Sequence, residues 1–107
     1  MNNNIFDIDP YEVFIYEKRE KFVNTLIEKF NVTLKGYKGA SYFYFKILEI
    51  NFIYHYHCGI VYIDQKLYGN RERVLVYKNI DLIHITKAYN EKDYYYVDAD
   101  DFFKLSF

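Results

Sequence analysis

Residues 41–57, SYFYFKILEINFIYHYH, constrain this chain more than any other stretch. They are dense in aromatic and β-branched side chains, which favour a pleated, half-buried surface. At about 3.3 Å per residue, one unbroken strand over this length would outrun a domain of 107 residues. The segment must break, and its apolar character lapses at Glu49–Asn51. A bend, bulge or hairpin is expected there, with strands over 41–48 and 50–57.

A strand-rich centre needs a cover, and the N-terminal part supplies one. Asp9 is a good helix N-cap, Pro10 fits the first helical position, and Glu12 lies three residues after the cap. Tyr11, Phe14, Ile15, Phe22, Leu26, Ile27 and Phe30 recur at helical spacing, with Glu17, Lys18, Glu20, Lys21, Glu28 and Lys29 on the other side. The spacing predicts a helix over 10–30 that ends near Asn31 and lays its apolar stripe on a sheet. Residues 1–8 read as a flexible tail.

Beyond residue 57 the pattern stays extended. Gly36 and Gly39 bracket a turn, Gly59 punctuates, and 60–68 reads as a strand. Gly69–Asn70 marks a tight turn into 72–78, a hairpin pattern. Residues 80–89 fit helix or strand, and Ile83, Ile85 and Thr86 tip them towards strand. The turn at 90–93 leads into a strand at 94–97, and the end is either a helical turn capped by Asp98 or an edge strand. The fold class is therefore α+β: one long N-terminal helix on a mostly antiparallel sheet of five to six strands. The whole of 1–107 reads as one domain.

Composition bounds the function. The chain carries 14 Lys and Arg against 15 Asp and Glu, a net charge of −1, and divides them evenly between its halves. That balance argues against an electrostatic nucleic-acid binder. A single cysteine, Cys58, makes no internal disulfide and reads as a reduced thiol in a cytoplasmic protein, or in host cytoplasm if the protein is viral. The first ten residues lack the basic and apolar regions of a secretory signal. Lys46, Glu49, Asn51, His55 and His57 interrupt the long apolar run at 40–63, so no membrane span is expected. The 14 Tyr and 10 Phe, with no Trp, follow partly from AT-rich codons. The rest of the enrichment supplies amphipathic contact surface.

Four constellations could carry function. The first is IYHYHCG at 53–59. On a strand, His55 and His57 share a face while Tyr54, Tyr56 and Cys58 share the other, so the thiol does not join the imidazoles. A His-x-His pair on one face binds zinc or a similar metal given a third ligand, which His84 or an aspartate from another strand would supply. The bland alternative puts both imidazoles on the outer side of the sheet, with Tyr54 and Tyr56 towards the helix.

The second is Glu49 with Asp64, Gln65 and Lys66. This acid, then acid-x-Lys, resembles the core signature of the PD-(D/E)xK nucleases. The resemblance implies a magnesium ion on Glu49 and Asp64, with Lys66 beside the attacking water. Here a predicted strand at 72–78 stands where that signature has a helix. The third is the acidic, aromatic end, with Tyr94, Tyr95, Tyr96, Asp98, Asp100 and Asp101. Its aspartates resemble the start of a calcium loop but lack the glycine and distal glutamate. Acid beside aromatic suits a basic groove on another protein. The fourth is a sheet bearing Tyr42, Tyr44, Tyr54, Tyr56 and Tyr62 as a stacking platform for RNA or single-stranded DNA, with lysines and arginines at 35, 38, 46, 66, 71, 73 and 78.

No phosphate loop and no G-x-S-x-G elbow occurs, and no cofactor is expected. These features point away from an enzyme. The expected function is a small protein-binding module: an inhibitor acting by occlusion, such as a phage or viral antagonist of host defence or a toxin-immunity protein. Tyr94, Tyr95, Tyr96, Asp98, Asp100 and Asp101 are its expected contacts. Exposed edge strands equally allow two copies to pair as a homodimer. The alternatives are a metal-dependent nuclease or hydrolase using His55, His57 and His84 or Glu49, Asp64 and Lys66, and a nucleic-acid binder using the tyrosines.

Overall fold

A computed structural model describes residues 9–37, 41–63, 79–87 and 93–107. Helix α1 spans Pro10–Phe30. Its start is set as the sequence predicts: the Asp9 carboxylate accepts a hydrogen bond from the Tyr11 N–H at 2.9 Å, and proline occupies the first turn. Its end is set by Asn31, which takes the left-handed conformation at φ 52° and donates its N–H to the Ile27 carbonyl. Glycine would be the commoner choice there. Asparagine tolerates that region better than other side chains.

Five strands follow: β1 Tyr42–Ile47, β2 Ile50–His55, β3 Ile60–Ile63, β4 His84–Lys87 and β5 Asp93–Asp98. They form one antiparallel sheet in the order β1-β2-β3-β5-β4. A 3-10 turn, Ile80–Leu82, precedes β4, so among the described residues of the ambiguous segment 80–89 only His84–Lys87 extends as a strand. Helix α2 is the short Ala99–Phe102, the helical turn of the two predicted endings, although the Asp98 side chain makes no capping hydrogen bond. The expected hairpin at Gly69–Asn70, the strand 72–78, the tail 1–8 and the catalytic candidates Asp64 and Lys66 lie outside the described residues.

The break between β1 and β2 is a two-residue hairpin. Ile47 pairs with Ile50, and Leu48 and Glu49 turn the chain with φ of 49° and 66°. Such turns need positive φ at both positions, which asparagine and glycine adopt most easily. For other L-residues that region costs about 1–2 kcal/mol each. The double variant Leu48→Asn/Glu49→Gly is therefore expected to gain about 1–2 kcal/mol. The gain would appear as a higher denaturant midpoint at unchanged slope. Losing the exposed Lys46–Glu49 pair, 3.9 Å apart, offsets little of it.

Alternation sorts the strands into two faces. Phe43, Phe45, Ile47, Ile50, Phe52, Tyr54, Val61, Ile63 and Val97 are buried on the inner face with Phe22, Val23 and Leu26 of α1 and Phe102 and Leu105 of the C-terminus. Aromatic rings dominate this core. Phe22 meets Tyr54 at 4.2 Å between centroids and Phe102 at 5.6 Å, and Phe102 meets Phe52 at 5.2 Å. These separations suit edge-to-face and offset contacts.

The helix stripe differs from the expected one. Its buried residues are Ile15, Arg19, Phe22, Val23 and Leu26, whereas Tyr11, Phe14 and Ile27 are exposed. At about 100° per residue, Tyr11 and Phe14 fall to one side of the buried Ile15–Leu26 line and Ile27 to the other. Arg19 takes the inward position that periodicity leaves for it.

Candidate functional site

The four-residue loop Tyr56–Gly59 between β2 and β3 answers the question raised by the histidines. Strand β2 ends at His55, which pairs with Ile60, and the Gly59 N–H closes the loop onto the His55 carbonyl at 2.9 Å. Gly59 has φ +68°, a conformation its missing Cβ permits. The Gly59 carbonyl in turn accepts from the Ala99 N–H at 2.8 Å, tying this loop to α2.

His55 and His57 therefore do not share a face, contrary to the expectation from strict alternation. His55 lies on the outer face, stacked on Tyr42. His57 belongs to the loop, where its Nε2 is 3.7 Å from the Glu12 carboxylate and its ring lies against Tyr56. His84 is on the outer face of β4, three strands away from β2. At about 4.8 Å per strand, that separation is roughly 14 Å, too far to share an ion with His55. Among the described residues no three His, Cys, Asp or Glu side chains gather as a metal site requires. Glu49 sits in the β1–β2 turn beside Lys46.

The six expected contact residues divide between the two sides of the sheet. Tyr94 and Tyr96 are on the outer face, whereas Tyr95 packs against the core. Asp98 is exposed at the end of β5. Asp100 lies 3.5 Å from Lys18, and Asp101 pairs with Lys104 at 2.9 Å.

What the fold assembles instead is a row on the outer face. The register places Tyr44 opposite Ile53, Ile53 opposite Tyr62, Tyr62 opposite Tyr96, and Tyr96 opposite His84. One line of aromatic and apolar side chains thus crosses all five strands. Tyr42 and Tyr94 flank it, with ring separations of 5.8 Å for Tyr42–Tyr44 and 6.2 Å for Tyr62–Tyr94. The described helices all pack on the opposite face, through Phe22, Phe102 and Leu82. Tyr42 and Tyr44 keep 42% and 44% of their surface exposed, an amount that makes them available to a partner. Burial pushes the Tyr62 phenol above its ordinary value, with Cys58 and Tyr96 adding to it, so its hydroxyl remains a donor at neutral pH. Among described residues on this face, the charged Lys, Arg, Asp and Glu side chains are Lys46, Asp98 and Lys35, whose backbone bridges to Tyr44. Of the tyrosines expected to form a stacking platform, Tyr42, Tyr44 and Tyr62 are on it. Tyr54 faces the core, and Tyr56 lies against Arg19.

Ile53 and His84 complete the row, and no strand periodicity marks them as its members. Loop length is the signal that finds Ile53, since a two-residue turn and a four-residue turn fix the register of β1, β2 and β3; His84 is placed only by the pairing of β4 with β5.

Tyr54 offers a pH-dependent test of the inner face. It is 2% exposed, and its phenol is pushed up to about 12, first by burial and then by the Asp100 carboxylate, with Arg19 opposing. A folded value above the ordinary 10.0 means that the neutral phenol stabilises the fold. That contribution is complete below pH 10 and disappears as pH rises to about 12, a loss of at most about 3 kcal/mol. Alkaline melts should show this loss in the native chain, and Tyr54→Phe should flatten the profile over that window. An unchanged profile in the variant would mean that Tyr54 ionises without resisting.

The fold and its outer face define an α+β protein in which a helix covers one side of an antiparallel sheet and tyrosines line the other. Compared with family models, with curated proteins and with solved structures, the chain matches none. Among the described residues, no helix is long and apolar enough to cross a membrane.

Proposed function

We propose that this chain is a protein-binding module that acts by occupying its partner, with the outer face of the sheet as the contact surface. The observation that carries this reading is the five-strand row Tyr44–Ile53–Tyr62–Tyr96–His84. Tyrosine supplies a large contact area at small conformational cost and leaves a hydroxyl to find a partner. Cross-strand neighbours hold one another in place, so the surface is organised before binding. Its described charges are Lys35 and Lys46 at the β1 edge and Asp98 on β5, which leave a small net charge and no continuous cationic track. A single-stranded nucleic acid would want a cationic track beside the rings, so this surface favours a protein. Occlusion of a partner's working surface, as by an inhibitor, requires no catalytic group.

The test is affinity capture from the source cell with the intact chain, Tyr44→Ala/Tyr96→Ala and a Lys104→Ala control, after nuclease treatment. One protein should co-purify in stoichiometric amount with the native chain and the control. Its recovery should fall at least about tenfold with the tyrosine variant, since two anchors of the row each contribute about 1–2 kcal/mol or more. Circular dichroism should show the variant folded. Recovery that survives loss of both tyrosines would move the contact elsewhere. Recovery abolished by nuclease would favour the nucleic-acid alternative.

A further inference from the structure

A second surface lies on the helix side of the sheet. Tyr11, Phe14, Lys18, Lys21, Thr25 and Lys29 follow one another at three- and four-residue spacing, so they form one line along α1. This line is one wall of a groove of about 740 Å³. Phe22, Tyr54, Tyr56 and Phe103 contribute its apolar lining, and the Cys58–Gly59 loop and Ala99–Asp100 form the far rim.

Charge and shape narrow the occupant. The wall carries three lysines, and the four glutamates of α1 (Glu12, Glu17, Glu20 and Glu28) fall outside its line. Asp100 is the carboxylate lining the groove, and it pairs with Lys18 at 3.5 Å. Lys29 lies over the Phe103 ring at 5.9 Å. Among the described residues neither Lys21 nor Lys29 has a carboxylate within ion-pair distance. The groove is therefore net positive above an aromatic floor.

From Tyr11 to Lys29 the wall runs roughly 27 Å at 1.5 Å per residue. A volume of 740 Å³ over that length is a trough about 5 Å across, wide enough for a row of side chains. The N–H and C=O groups of the helical wall are bonded within the helix, so an extended peptide finds no edge to pair with. The occupant must satisfy its own backbone. We propose that the groove takes an acidic amphipathic helix of a partner protein. Its apolar residues would enter the trough, and its carboxylates would meet Lys18, Lys21 and Lys29. This surface lies on the side of the sheet away from the tyrosine row, and its occupancy does not depend on that row.

The intact protein is titrated into a fluorescein-labelled peptide of about 18 residues, with leucine and phenylalanine at helical spacing and glutamate elsewhere. A matched peptide carries lysine for glutamate, and oleate and phosphatidylserine vesicles serve as competitors. The acidic peptide should bind and gain helicity. Its affinity should exceed that of the basic peptide by at least about tenfold and fall as much with Lys21→Glu/Lys29→Glu. Both lysines are exposed, so that variant keeps its core. Tyr44→Ala/Tyr96→Ala should leave peptide affinity unchanged, which separates the two surfaces. Equal affinity for both peptides, no acidic-peptide binding at millimolar concentration, indifference to the lysine reversal, or displacement by oleate or vesicles would each overturn the proposal.

Discussion

Phe102→Ala is expected to destabilise the protein by about 3–5 kcal/mol, a large share of the 5–15 kcal/mol typical of a domain. Phe102 is fully buried although it sits on the four-residue helix α2, five residues from the C-terminus. Its ring meets Phe22 of α1, Phe45 of β1, Phe52 of β2 and Phe107 of the terminal segment, all with centroids between 5.2 and 5.7 Å. Removing it opens a cavity walled by four other rings, which are too rigid to collapse into the space. The neighbouring Phe103 is only half-buried, tilted against Phe22 and stacked on Phe30. Phe103→Ala should therefore cost clearly less. Chemical denaturation of both variants gives the comparison. A Phe102→Ala loss below about 1 kcal/mol would mean that α2 is an appendage and that the core closes without it.

The importance of Phe102 was hardly legible in the sequence, and the reason is physical. DADDFFKLSF has too few apolar residues to show a period, so nothing local says which phenylalanine turns inward. The Gly59–Ala99 hydrogen bond and the end of β5 decide it, and both are non-local. Helix α1 was legible because its signals are local: Asp9 and Pro10 at one end, Asn31 at the other. The break at Glu49 was legible because an apolar strand cannot exceed the width of the domain. The inward position of Tyr54 followed from alternation. Alternation failed at His57 because it assumes the strand continues, and the loop closing on Gly59 ends it two residues earlier.

The surfaces proposed for binding were the least legible. The tyrosine row needs the register of five strands, and sequence fixes that register only where loops are short. The expectation that Tyr94, Tyr95 and Tyr96 act together conflicts with the pleat itself, which sends the middle ring to the core. The lysine line of α1 was visible as polar residues opposite a stripe. Its role as the wall of a groove depends on where α2 and the Cys58 loop come to rest.

Arg19 shows most clearly what a binary reading of the helix misses. It is 3% exposed, with its guanidinium 4.1 Å from the centre of the Tyr16 ring, 4.8 Å from Tyr37 and 4.9 Å from Tyr56. Its nearest carboxylate, Glu20, stands 3.7 Å away and also accepts the Tyr37 hydroxyl, while the Arg19 Nε is buried without a hydrogen-bond partner. One cation thus joins α1, the segment after it and the loop before β3. Arg19→Ala is expected to lose about 3 kcal/mol, combining a cavity between the rings with lost cation–π attraction of about 1–2 kcal/mol. Arg19→Met should lose less than about 1 kcal/mol, because an apolar chain of similar length fills the cage and leaves no buried donor unmet. Denaturant melts of the two variants separate packing from charge. If methionine proves as damaging as alanine, the attraction between guanidinium and tyrosines is what holds the three segments together. The cage would then be an electrostatic joint, and its filling by any apolar side chain would not suffice.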